Sequence, residues 1–118
     1  MRTNKDKHIM KHILNYCDQV ADAVERIETL DNLLEDSFYQ NALAMPIAQI
    51  GELARILSDE YKGKTPDIPW NEIRSMRNHL IHSYGEIDWE KVWYTATQDV
   101  PELKEKCLAI KPDVGIPL

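Results

Sequence analysis

The chain predicts an all-α fold, on three observations. Leu, Ile, Ala, Glu and Lys are plentiful, while only four residues are Gly and β-branched runs are scarce. Apolar residues recur at three- and four-residue spacing, the repeat of one buried helix face. The densest turn signals, one Gly and two Pro in residues 61–69 and two Pro and one Gly after Lys111, fall outside those periodic stretches. At 118 residues, the usual length prior gives one domain. Hydrophobic residues make up 43% and charged residues 29%, which places the chain among globular rather than disordered proteins. Four or five helices with short connections form an antiparallel bundle, with its core over about residues 5–110 of the single domain 1–118.

The first helix is expected from about residue 6 to about residue 30. Its stripe is Ile9, Ile13, Tyr16, Cys17, Val20, Val24 and Ile27, with Lys11, Asn15, Asp18, Asp22 and Arg26 opposite. Residues 31–36 read as a turn or frayed end. Ser37 followed by Gln40 fits a capping box. The second helix carries Leu43, Ile47, Ile50, Leu53, Ala54 and Leu57. Pro46 lies inside it and removes a backbone donor, so a kink is expected. Gly51 permits close approach of another backbone.

Residues 61–69 contain one Gly and two Pro and read as a loop. Pro69 suits the first turn of a third helix, which carries Ile73, Met76, Leu80 and Ile81 and ends near Gly85. Asp88 is an N-cap candidate for a fourth helix with Trp89, Val92, Trp93 and Ala96. Pro101 should kink or break it before a last piece with Leu103, Cys107 and Leu108. The segment from Lys111, with two Pro and one Gly, reads as a loose tail.

No stretch approaches the roughly 20 apolar residues of a membrane span, and the polar start, Met1 to Lys7, lacks the apolar segment of a secretory signal. Cys17 and Cys107 fall on apolar helix positions and read as buried free thiols. These features predict a cytoplasmic protein that makes no membrane contact. The net charge of −6 argues against broad nucleic-acid binding, which depends on Lys and Arg neutralising phosphates. It leaves room for a local basic site among Lys62, Lys64, Arg74 and Arg77.

The chemistry-bearing segment runs from Met76 to Trp89. Within it Arg77, His82 and Tyr84 bring together a permanent cation, a group that titrates near neutrality and a phenol. Arg stabilises charge on phosphoryl oxygens and His moves a proton, so the trio points to phosphodiester chemistry. A helix advances about 100° per residue. Arg77 and Tyr84 then share one side, Asn78 and His82 share another face, and one straight helix does not aim Arg77 and His82 at the same atom. Either the helix is distorted near residue 82, or two copies pool their residues across a two-fold axis. The second arrangement is preferred, with Asn78 orienting the imidazole.

Such a cleft suits metal-independent RNA cleavage. The 2′-OH attacks phosphorus, His82 transfers the proton and Arg77 stabilises the phosphoryl charge. The 2′-OH requirement excludes DNA. A lone Arg or His on a bundle helix is ordinarily a surface group, and only the combination with Asn78 raises the catalytic reading above that. His8 and His12 have metal-ligand spacing but no obvious third ligand, so solvated histidines are expected and no metal site is assigned. Trp70, Trp89 and Trp93 read as core or interface anchors.

At Arg77-Asn78, His82 and Tyr84 the sequence resembles the HepT-like toxins of the HEPN superfamily, in the form R-x4-H-x-Y. Ile50-Gly51-Glu52, Pro69-Trp70, Ile73, Val92-Trp93 and the run from Asp99 to Leu103 extend the likeness over about residues 5–110. The resemblance implies a HEPN-like helical bundle that forms a homodimer around the motif helix. It implies a metal-independent endoribonuclease using Arg77 and His82, with Asn78 as the supporting polar residue. It also implies a toxin of a type VII-like toxin–antitoxin pair. There a minimal nucleotidyltransferase antitoxin would transfer AMP to Tyr84, and bulk and charge on that phenol would obstruct RNA. ATP and its metal would belong to the partner, and this chain would need no cofactor of its own. The alternative is a non-catalytic binding module that helps a partner nucleotidyltransferase hold nucleotide or substrate.

Overall fold

The computed structural model describes residues 2–81 and 86–110. It is an all-α bundle: α1 (Arg2–Ile27), α2 (Leu30–Glu35), α3 (Ser37–Ile56), α4 (Asp59–Lys64), α5 (Trp70–Ser75), α6 (Asn78–Ile81), α7 (Trp89–Tyr94) and α8 (Val100–Leu108), with a π-helical turn over Thr95–Asp99 between the last two.

Helix α1 carries the stripe its periodicity requires. Ile9, Met10, Ile13, Cys17, Val20, Ala23 and Ile27 are buried, while Tyr16 and Val24 sit at the edge. It stops because Glu28 takes φ 73°, a left-handed conformation that costs a non-glycine residue roughly 1–2 kcal/mol. Residues 31–36 are not a frayed end. Thr29 caps a short helix there by accepting from the Asn32 amide at 3.1 Å, and the Asn32 side chain donates to the Ile27 carbonyl at 2.8 Å. Two orphaned helix ends are thereby satisfied at one corner.

The cap of α3 differs from the expected box. Asp36, one residue earlier than Ser37, accepts from the Phe38 amide at 2.8 Å. Gln40 reaches back to the carbonyls of Leu33 and Leu34, at 3.0 and 3.3 Å, tying α2 to α3. Helix α3 runs through Pro46 without interruption, and Pro46 is buried with Leu43, Ile47, Ile50, Gly51 and Ala54. This face packs along α1 and forms the centre of the core.

Residues 61–64, expected as loop, are helical. Ser58 caps α4 through the Tyr61 amide at 3.1 Å, and Asp59 and Glu60 favour its first turn. Ser58 is in turn held by the buried Asp6 of α1, which accepts from its amide at 3.0 Å and its hydroxyl at 2.7 Å. Downstream, buried Thr65 donates to the Tyr61 carbonyl at 3.0 Å and accepts from the Trp70 indole at 2.9 Å. The entry to α5 is thereby locked, and Trp70 is a core anchor, 7% exposed. Trp89 and Trp93 are half-buried against the core.

The expected single helix over residues 69–85 is broken at Met76–Arg77, between α5 and α6. The ladder tightens there: Met76 donates to the Ile73 carbonyl at 3.1 Å and Leu80 to the Arg77 carbonyl at 3.0 Å. These are the i→i+3 bonds of a 3₁₀ turn. At the other arm, Asp88 caps α7 as expected, accepting from Lys91 at 3.1 Å. Pro101 neither ends the helix nor stands alone. It follows a π turn in which the Val100 amide reaches the Thr95 carbonyl, so the wider turn falls where proline has no amide to donate. Val92, Ala96, Val100, Leu103 and Cys107 are the buried face of this arm. No described helix is long and apolar enough to cross a membrane.

Candidate nuclease site

The site begins with Gly51. An ideal Cβ at that position would lie 3.2 Å from the Arg74 carbonyl oxygen, the Arg77 amide nitrogen and the Arg77 Cβ. Absence of a side chain therefore lets α3 touch the corner between α5 and α6. This is the close approach that the sequence position suggested. The corner carries Arg77 at its turn and Asn78 as the first residue of α6, both exposed.

The contact brings Glu52, the residue after Gly51, to Arg77. Glu52 Oε2 lies 3.5 Å from Arg77 Nη1. Its other oxygen, Oε1, accepts from Arg55 Nε at 3.1 Å and Nη2 at 2.5 Å. The Arg55 hydrogen bond, with the positive charges of Arg55 and Arg77, holds the Glu52 carboxyl below the usual carboxylate range, although partial burial opposes it. The three side chains are partly open to solvent, so the cluster is an accessible surface feature.

Asn78 follows Arg77 as the first residue of α6. His82 and Tyr84 lie outside the described residues. Among the basic residues of the expected local site, Arg74 and Arg77 share the corner, whereas Lys64 is engaged with Glu60 at 3.6 Å. The sequence patterns alone give no role to Glu52 or Arg55. The signal was present: Glu52 adjoins a helix glycine, and Arg55 follows three residues later on the same face.

A groove of about 520 Å³ opens on another side of α5, floored by Ile73, Met76 and Leu103. Its rim carries Asp67, Glu72, Asp99 and Glu102 against one lysine, Lys106. That sign of charge repels a phosphodiester, so the corner at Arg77, rather than this groove, is the candidate RNA surface. His8 and His12 are exposed on α1. No cluster suited to a metal ion occurs among the described residues. Both cysteines are free and buried.

Comparison with known proteins defines the class. Residues 13–110 match the family model described as Ribonuclease HepT-like. The chain belongs to this family, which is of the HEPN type. It is similar to a protein named probable ribonuclease HepT from Thermococcus cleftensis, 34% identical over 98 residues, covering 78% of this chain and 89% of that one. It is also similar to the candidate RNase TTE0752 of Caldanaerobacter subterraneus subsp. tengcongensis, at 30% identity over 97 residues, covering 82% and 86%. The candidate RNase MJ1216 of Methanocaldococcus jannaschii is 29% identical over 108 residues, covering 92% and 88%. No solved structure matches the chain significantly.

Proposed function

We propose that this chain is an endoribonuclease that cleaves RNA without a metal ion. The observation that carries the reading is Arg77, exposed at a corner packed on Gly51, heading an R-x4-H-x-Y motif in a chain of a ribonuclease family. In the reaction the RNA 2′-oxygen attacks the adjacent phosphorus and loses its proton. The bond to the 5′-oxygen breaks, and that oxygen gains a proton. His82 moves the proton, Arg77 meets the charge that builds on the phosphoryl oxygens, and Asn78 supports the imidazole.

The protein acts as a homodimer. An exposed apolar row on α3, Phe38, Met45 and Ile56, leads toward Glu52 and the Arg77 corner. Its spacing of seven and eleven residues keeps it on one face. A second copy covering this row would bring two motifs together. In the cell the chain is the toxin of a type VII-like pair. A minimal nucleotidyltransferase antitoxin, which binds ATP and metal itself, silences it by transferring AMP to Tyr84.

The test is cleavage of total RNA in EDTA by unmodified protein, beside Arg77→Ala and His82→Ala, with circular dichroism to confirm folding. Cleavage by the parent and by neither variant supports the reading. A His82→Ala protein that cuts as fast as the parent removes it. AMP incorporation in the presence of the partner should disappear in Tyr84→Phe. The net charge of −6 favours a second reading, a non-catalytic module assisting a nucleotidyltransferase. An inert but folded parent, tested across several RNA classes, would support that module instead.

A further inference from the structure

We propose that Glu52 is the positioning residue for Arg77, and that Arg55 sets how tightly Glu52 holds it. The inference rests on the nuclease reading for its consequence, but its geometry stands independently.

The two oxygens of Glu52 do different work. Oε1 is engaged by Arg55 through Nε and Nη2. Oε2 is left for Arg77, at 3.5 Å from Nη1. A direct charge-assisted N–H···O bond is about 2.7–2.9 Å. Arg77 is therefore steered by the carboxylate without being consumed by it, and among the described residues no hydrogen bond takes up its other donors. Gly51 completes the arrangement by bringing the Arg77 backbone against the same turn of α3. Backbone and guanidinium are then both referenced to one rigid helix, the condition for holding a group in productive geometry.

Arg55 keeps the balance. With Arg55 in place, one carboxylate is shared between two cations and the set keeps a net positive charge. Without Arg55, both Glu52 oxygens are available to Arg77, and a bidentate pair would compete with the phosphate for the same donors. Without Glu52, Arg77 is a long exposed side chain that has lost its ion pair to α3. The two substitutions therefore have opposite effects on the hold over Arg77 and the same sign of effect on cleavage.

The experiment compares parent, Glu52→Gln and Arg55→Gln by steady-state RNA cleavage, thermal melting and nitrogen-15 NMR of arginine side chains. Arg77→Lys assigns the Arg77 signal and Arg74 serves as the control. Glu52→Gln is expected to lower kcat by up to about 100-fold, the cost of a misplaced reacting group. KM and melting temperature should change little, because exposed ion pairs contribute little to stability and a loss confined to kcat marks an interaction made in the transition state. The Arg77 Nε–H signal should move in Glu52→Gln while that of Arg74 does not. Arg55→Gln should move the Arg77 signal as well and also lower cleavage. Parent-like kcat and an unmoved Arg77 signal in Glu52→Gln would overturn the proposal while leaving the nuclease intact. A parent that cuts no RNA would remove the nuclease reading. The Arg77 signal would still decide whether Glu52 holds that side chain.

Discussion

Replacing Gly51 by alanine places one methyl group where α3 meets the Arg77 corner. Two terms oppose each other. Alanine is favoured over glycine in a helix interior by about 1 kcal/mol. The new carbon, however, lies 3.2 Å from three atoms, inside the usual 3.5–4.0 Å separation. Two of those atoms are backbone and the third is a Cβ, so no flexible side-chain end can swing away. The corner must retreat by a few tenths of an ångström, and over-packing of this kind costs about 1–3 kcal/mol. The expected net effect is a loss of about 1 kcal/mol, or roughly 4 °C in Tm for a domain of this size. Because the retreating segment carries Arg77, RNA cleavage should also fall, by less than the roughly 100-fold that a 1 Å misplacement can cost. Gly63→Ala is the control. Its Cβ would meet nothing within 4 Å, so only the favourable term remains and stability should rise by about 0.5–1 kcal/mol. Urea denaturation and the EDTA cleavage assay measure both variants. A Gly51→Ala protein as stabilised as Gly63→Ala, with parent-like cleavage, would refute the argument that the glycine exists for this contact.

Three further outcomes test the fold. Asp6→Ala removes the acceptor for both Ser58 donors and loosens the cap of α4. A loss of about 1–3 kcal/mol is expected by urea denaturation, the usual cost of stranding a partly buried donor. Burial pushes the thiols of Cys17 and Cys107 up from 9.0 to about 12, aided at Cys17 by Asp18 and at Cys107 by Cys17. The folded state thus favours the protonated thiols. That contribution is fully present below pH 9, and stability should fall as pH rises from about 9 toward 12. Native protein should resist thiol reagents at pH 8 and react with both cysteines once unfolded.

The fold class was written into the sequence because a single helix face is a local property. The α1 stripe, the α3 core positions and the Asp88 cap each follow from residues within a few turns of one another. The motif was legible for the same reason: Arg77, Asn78, His82 and Tyr84 sit within eight positions. Local signals failed where a distant group decided the outcome. Residues 61–64 looked like loop because Gly63 and the two prolines dominate that stretch. Yet Ser58 and Asp6, fifty-two residues apart, give the segment a capped helical start. The straight helix expected through Arg77 is broken at a corner that packs on Gly51, twenty-six positions earlier in the chain. Pro101 announced an interruption, yet it is accommodated just after a π turn, with Ala96 and Val100 buried on the core.

The sequence by itself determined that the chain is helical and where the R-x4-H-x-Y motif lies, since both depend on neighbours along the chain. Only the tertiary structure decided that Arg77 is referenced to α3 through Gly51, Glu52 and Arg55. That arrangement exists because two backbones meet where one lacks a side chain: Gly51 marks where a backbone can approach, and only the fold decides which distant segment does.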